Sequence, residues 1–272
     1  MKYQNIRLSV FVLACLLTGQ ICLMGSALAV GASAQPMTGL GGLNLGKGCA
    51  GPSLLPIQDA DQLLLLAQSE LRLHPGNAEA FLARGLAYEA LGHQGRATAD
   101  FLMTIKLQPD NTRALLGLGR AYGSHGLFAR AVRTYKAVLA LDPRSAEAYR
   151  ERAIVYDALG SYGRSLADFK QAIALEPSDA CTYNDQGITQ EAAGLQPEAL
   201  NSYSKAIELS PALLPAITNR AFLLSDLGRY AESLTDLNTA AALAPTDPQI
   251  ISARTFALSQ LHPPLNSAEP SH

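Results

Sequence analysis

Six prolines, Pro75, Pro109, Pro143, Pro177, Pro211 and Pro245, follow one another at intervals of 34 residues. A fixed period of this length is what a stack of identical supersecondary units produces. Such stacks present extended surfaces more readily than they enclose catalytic pockets.

With each proline set at position 32, five full units run 78–111, 112–145, 146–179, 180–213 and 214–247. Position 4 is large and apolar (Phe81, Leu115, Tyr149, Tyr183, Ile217) and position 8 small (Gly85, Gly119, Ala153, Gly187, Ala221). Position 11 holds Tyr88, Tyr122, Tyr156, Gln190 and Leu224. Positions 4 and 11 are two helical turns apart and share a face, while a small residue at 8 admits a partner helix. Position 15 is glycine in every unit, from Gly92 to Gly228, and predicts a left-handed residue closing the first helix. Position 20 is again small (Ala97, Ala131, Ser165, Ala199, Ser233), and position 24 carries Phe101, Tyr135, Phe169, Tyr203 and Leu237. Proline at 32 ends the second helix. Two residues later Asn77, Asn111, Ser145 and Asp179 supply N-caps, with Leu213 the exception. Each unit therefore reads helix, turn, helix.

This pattern resembles the tetratricopeptide repeat (TPR) family, W-x2-L-G-x2-Y, then A-x3-F, then P. The match departs in having no Trp at position 4, Arg or Gln at position 7 in four units, and no Tyr at 11 in the last two. The resemblance covers 78–247 and implies an all-α fold, a right-handed α-solenoid of helix–turn–helix units with a C-terminal capping helix. It also implies a protein-binding scaffold. Residues 59–77 read as a half-unit holding a lone second helix, with Asp59 and Gln62 at capping-box spacing. Residues 248–261 read as the cap, with Ile251, Arg254 and Leu258 at positions 4, 7 and 11.

At the N-terminus, Lys2 and Arg7 precede an uncharged, mostly apolar stretch from Leu8 to Val30, followed by Ala27-Leu28-Ala29 and Ala32-Ser33-Ala34. This is the layout of a signal peptide over 1–34, cleaved after Ala34. Residues 8–30 are also long enough for an uncleaved membrane tether, and Val12-Leu13-Ala14-Cys15 resembles a lipobox. All of these readings export the repeats, to the periplasm or as a secreted protein, or hold them at the membrane. Residues 35–58 are Gly-rich and read as a flexible linker, and 262–272 as a disordered tail. Cleavage would leave two cysteines, Cys49 and Cys181. They stand either as unpaired thiols or, in an oxidising compartment, as a Cys49–Cys181 bridge or an intermolecular one through Cys49. The chain of 272 residues has a formal net charge of −2 and no basic stripe, so nucleic acid is not an expected partner.

Arg at position 7 and Asp at 23 occur together in units one, three and five: Arg84 with Asp100, Arg152 with Asp168, Arg220 with Asp236. Units two and four carry Leu118 with Thr134 and Gln186 with Ser202 instead. The spacing predicts three ion pairs across the two helices of a unit, each contributing up to about 1 kcal/mol at the surface.

In a TPR superhelix the first helices line the concave side, where positions 2, 5, 9 and 12 share a face. Leu82, Leu86 and Leu116 form an apolar start to this row, and Ile154, Ile188 and Phe222 continue it past Asn184. Arg113, Arg120 and Arg150 cluster in units two and three. Together they suggest a groove for a peptide or helix with apolar anchors and an anionic group at the arginines. The alternative is a solvated face, Arg150 being neutralised by Glu147. A TPR subclass clamps acidic C-termini with Lys and Asn at positions 5 and 9 and further Asn, Lys and Arg in the following units. Here Arg150 is followed by Ile154, and position 6 reads Ala83, Gly117, Glu151, Asp185 and Asn219, so that clamp is absent.

None of the five histidines has a ligand-spaced partner, and no nucleophile elbow, phosphate loop or HExxH occurs, so neither enzyme activity, metal nor cofactor is expected. The partner is a protein. The run Leu63-Leu64-Leu65-Leu66 motivates a second reading, self-association into an envelope assembly, because one helix cannot bury leucines on every side against one neighbour. Leu54, Leu55 and Ile57 folding back over the run is the alternative.

Overall fold

The computed structural model describes residues 57–261, all in helices and short connections. The leader, the lipobox, Cys49, most of the linker and the tail lie outside the described residues. The helices are α1 (Ile57–Leu73), α2 (Ala78–Ala90), α3 (Gln94–Leu107), α4 (Thr112–Ser124), α5 (Phe128–Leu141) and α6 (Ala146–Ala158). They continue as α7 (Tyr162–Leu175), α8 (Ala180–Ala192), α9 (Gln196–Leu209), α10 (Leu214–Asp226), α11 (Tyr230–Leu243) and α12 (Pro248–Leu261). Even-numbered helices from α2 are first helices and the odd-numbered ones are second helices.

The punctuation is chemical and repeats with the period. Gly92, Gly126, Gly160, Gly194 and Gly228 all have positive φ, between 67° and 78°. The following N–H closes back on the carbonyl five residues earlier, as from His93 to Tyr88 at 2.7 Å. The side chains of Asn77, Asn111, Ser145 and Asp179 accept from N–H groups of the next helix; Leu213 holds the same backbone position without a side-chain bond. The start of α1 differs from expectation: the helix begins at Ile57, so Asp59 sits in the first turn, where its charge favours the helix dipole, and is not the cap.

Position 24 supplies the core. Phe101, Tyr135, Phe169, Tyr203 and Leu237 are at most 1% exposed. A Cβ added at position 8 would lie 2.8 Å from Phe101, 2.5 Å from Tyr135 and 2.6 Å from Tyr203 at Gly85, Gly119 and Gly187 respectively. Phe101 is also overlaid by Gly117 of the next unit, where an added Cβ would lie 2.5 Å away. One ring thus ties its own unit to its neighbour. Loss of such a side chain costs about 3–5 kcal/mol.

First helices of neighbouring units pack on one another along the whole array, whereas in every substantial contact a second helix meets only first helices. The first helices are therefore the more closely drawn together and form the inner side of an all-α helical-repeat solenoid.

Candidate functional site

Position 5 of one unit packs against position 6 of the next, and this decides which inner-face residues are accessible. Leu82, Leu116, Arg150 and Asn184 are buried, at 8% exposure or less. Their expected place on the open groove is corrected: neighbouring first helices close over them. Leu82 joins a cluster with Ala114 and Leu118 of unit two. Arg150 donates to Asp185 of unit four at 2.7–2.8 Å, and Asn219 of unit five donates to Asn184 at 3.0 Å. What remains half-open is position 9, with Leu86, Arg120, Ile154, Ile188 and Phe222.

The three arginines do not form an open anion site. Arg120 grips Glu89 of unit one through Nε and Nη2 at 2.8 and 2.9 Å, and Glu147 of unit three through Nη1 at 2.7 Å. The pairing with Glu147 expected for Arg150 is made by Arg120. Although burial opposes its charge, hydrogen bonding and attraction to Glu89 hold the Arg120 guanidinium above its ordinary value. Burial pushes the carboxyls of Glu147 and Asp185 up, against the pull of Arg120 and Arg150 respectively. Arg113 alone of the three is exposed.

The C-terminal half of the face is acidic. Burial pushes Asp157 up to about 6, with the Thr189 hydroxyl pulling the other way. Its Oδ1 is buried without a hydrogen-bond partner. Glu191, which accepts from Tyr203 Oη at 2.9 Å, is likewise raised by burial. Cys181, at position 2 of unit four, is half-buried and disulfide-bonded. The other three cysteines lie outside the described residues.

Between the helices of a unit, Arg84, Arg152 and Arg220 each donate Nε and Nη2 to both oxygens of Asp100, Asp168 and Asp236 at 2.7–2.8 Å. The carboxylates are 4–7% exposed, so these are not the surface pairs anticipated. Unit four fills the same place with a neutral bond, Ser202 to Gln186 at 3.1 Å.

A second internal pairing escaped the sequence reading. Arg96, Arg130 and Arg164 at position 19 lie 5.5–5.8 Å from the ring centres of Tyr88, Tyr122 and Tyr156 at position 11. Units four and five, which lack the tyrosine, carry Glu198 and Glu232 at position 19. The joint switch at 11 and 19 is visible in the register, but position 19 is not part of the repeat motif and so carries no signal of its own.

Among the described residues no group of His, Cys, Asp and Glu could hold a metal ion, and no helix is long and apolar enough to cross a membrane. Of the four leucines in the α1 run, Leu63 and Leu64 are half-buried, while Leu65 and Leu66 are 64% and 67% exposed.

The tetratricopeptide repeat family model matches residues 118–193. No protein of curated function matches the sequence. The fold is similar to a chain of the APC/C hetero-tetramer Cut9–Hcn1 (TM-score 0.66, 18% identity, 75% of this chain and 41% of that chain). This chain thus spans about two fifths of that one. It is similar to a thermophilic TPR protein of Thermus thermophilus (TM-score 0.57, 25% identity, 68% of this chain and 99% of that one). It is also similar to PilW, a widely conserved type IV pilus biogenesis factor (TM-score 0.66, 20% identity, 72% and 90%). Folds of this kind are typically non-catalytic scaffolds for protein partners. Residues 118–193 thus match the tetratricopeptide repeat model, and the same 34-residue register and helix punctuation continue on both sides of that segment.

Proposed function

We propose that this chain is an exported scaffold of the cell envelope whose inner face holds a segment of a partner protein. The observation that carries the groove is the half-open row at position 9, Leu86, Ile154, Ile188 and Phe222, set on the closely packed first helices. With Arg120 and Arg150 already neutralised from within, the unmatched charge beside this row is negative, at Asp157 and Glu191. The preferred segment therefore carries apolar side chains and a basic group, not the anionic group expected from the three arginines.

Two features support export: the basic-then-apolar segment 1–34 and the disulfide at Cys181, since disulfides persist in oxidising compartments. Fusion of residues 1–56 to a reporter active only outside the cytoplasm tests this, and an inactive fusion refutes it. For the groove, the whole chain and an Ile154→Asp/Ile188→Asp variant are used for affinity capture from envelope extract. Equal capture by both sinks the groove.

A second reading, a self-associating assembly factor, is favoured by the exposure of Leu65 and Leu66. Light scattering decides it: a monomer at high concentration removes this reading.

A further inference from the structure

At the C-terminal end of the array, α12 repeats the first helix of a unit, with Ile251, Arg254, Thr255 and Leu258 at positions 4, 7, 8 and 11. In the full units, positions 7 and 8 face the second helix of the same unit. Position 8 lies against the side chain at 24, as Gly85 does against Phe101. An arginine at 7 clasps the aspartate at 23 through two hydrogen bonds of 2.7–2.8 Å. Among the described residues no second helix follows α12. Ile251 and Leu258 are 49% and 39% exposed. With Ala241, Pro245, Arg254 and Thr255 they line a groove of about 260 Å³. Arg254 is exposed, and no carboxylate among the described residues pairs with it.

We propose that this groove is a second binding site, separate from the inner face, which takes an amphipathic helix of a partner protein as the missing second helix of a sixth unit and seats a carboxylate of that helix on Arg254. The chain's own units specify the helix. It carries a small residue, then three positions on an Asp or Glu to meet the guanidinium in bidentate fashion. The next residue faces Thr255. Glycine or alanine at position 8 admits Phe, Tyr or Leu in the full units; the larger Thr255 leaves room for an aliphatic side chain and not a ring. Leu237 opposite Ala221 is the nearest internal example. A second copy fits less well, because its α1 would bring Leu66, at position 23, against the guanidinium and leave the charge unmatched.

The test uses a labelled peptide of residues 229–245, which carries Ser233, Asp236 and Leu237 in the required spacing. It is titrated with the full chain and followed by fluorescence anisotropy. Saturable binding is expected. Arg254→Glu should weaken it about tenfold or more, and an Asp236→Arg peptide should recover affinity for that variant. Ile188→Asp on the inner face should leave it unchanged. Arg254 and Ile251 are exposed, so their variants keep the fold, as a far-UV circular dichroism spectrum verifies. The proposal is overturned by absence of saturable binding, or by binding indifferent to both Arg254→Glu and Ile251→Asp. A tenfold gain on removing residues 262–272 would identify the chain's own tail as occupant, and oligomers that Ile251→Asp dissolves would identify a second copy. Either result overturns the partner helix.

Discussion

Asp168→Ala isolates one of the arginine–aspartate pairs, and the array contains its own control. Asp168 accepts two charge-assisted hydrogen bonds from Arg152 at 2.7 and 2.8 Å, with side chains 10% and 15% exposed. Removing the carboxylate strands a mostly buried guanidinium, which keeps a little water and its contacts with the rings of Tyr149 and Tyr156 at 5.6 and 5.9 Å. The loss should fall between that of an exposed pair, up to about 1 kcal/mol, and of a fully buried one, about 3–5 kcal/mol; about 2–3 kcal/mol is expected. Unit two shows what the same place accepts without charge, Leu118 and Thr134. The double variant Arg152→Leu/Asp168→Thr removes both partners together and should stay within about 1 kcal/mol of the parent. Urea unfolding followed by circular dichroism gives the midpoints at constant slope. The cycle should then show a coupling of at least about 1.5 kcal/mol between the two sites. A double variant as unstable as the sum of its singles would refute the reasoning, because the cost would then lie in packing and not in the stranded charge.

Three further outcomes follow from the geometry. Asp157→Asn should stabilise the protein above pH 6. Burial raises the folded-state carboxyl from an ordinary 3.8 to about 6, so between these values the native state holds a proton the unfolded state has lost. Stability therefore falls as pH rises through this window, by up to about 3 kcal/mol, and the variant should flatten that slope in urea titrations at pH 4 to 7. Gly119→Ala puts a Cβ 2.5 Å from the buried Tyr135 ring. Overpacking of about 1–3 kcal/mol, less about 1 kcal/mol of helix propensity, leaves a net loss of up to about 2 kcal/mol. Adding Tyr135→Leu, the arrangement of Ala221 with Leu237, should make the pair less costly than the sum of its singles. Arg164→Gln removes a cation from the face of Tyr156 at 5.8 Å and should lower thermal stability by about 0.5–1 kcal/mol, while Glu198→Gln in unit four should be neutral.

The fold was legible because its determinants recur: glycine at 15, the N-cap after the proline and the small residue at 8 each act within one unit, and five copies average out chance. Arg84–Asp100 and its counterparts were legible for the same reason. The inner face was not. Which of positions 5 and 9 stays open depends on how closely neighbouring first helices approach, and that spacing is a property of two units. Arg120 illustrates the point: its partners Glu89 and Glu147 lie 31 and 27 residues away in the flanking units, and no single-unit alignment brings the three together.

Those cross-unit bonds also bear on how a chain of near-identical units avoids docking out of order. Core rings at position 24 would accept almost any neighbour. The links Glu89–Arg120–Glu147, Arg150–Asp185 and Asn184–Asn219 each occur once and join particular neighbours. If unit two were to dock directly on unit four, Arg120 would lose Glu147, and Arg150 and Asp185 would be parted, at the expense of buried unpaired charge. The inner face thus numbers the units, and correct succession during folding rests on residues that the repeat itself does not contain.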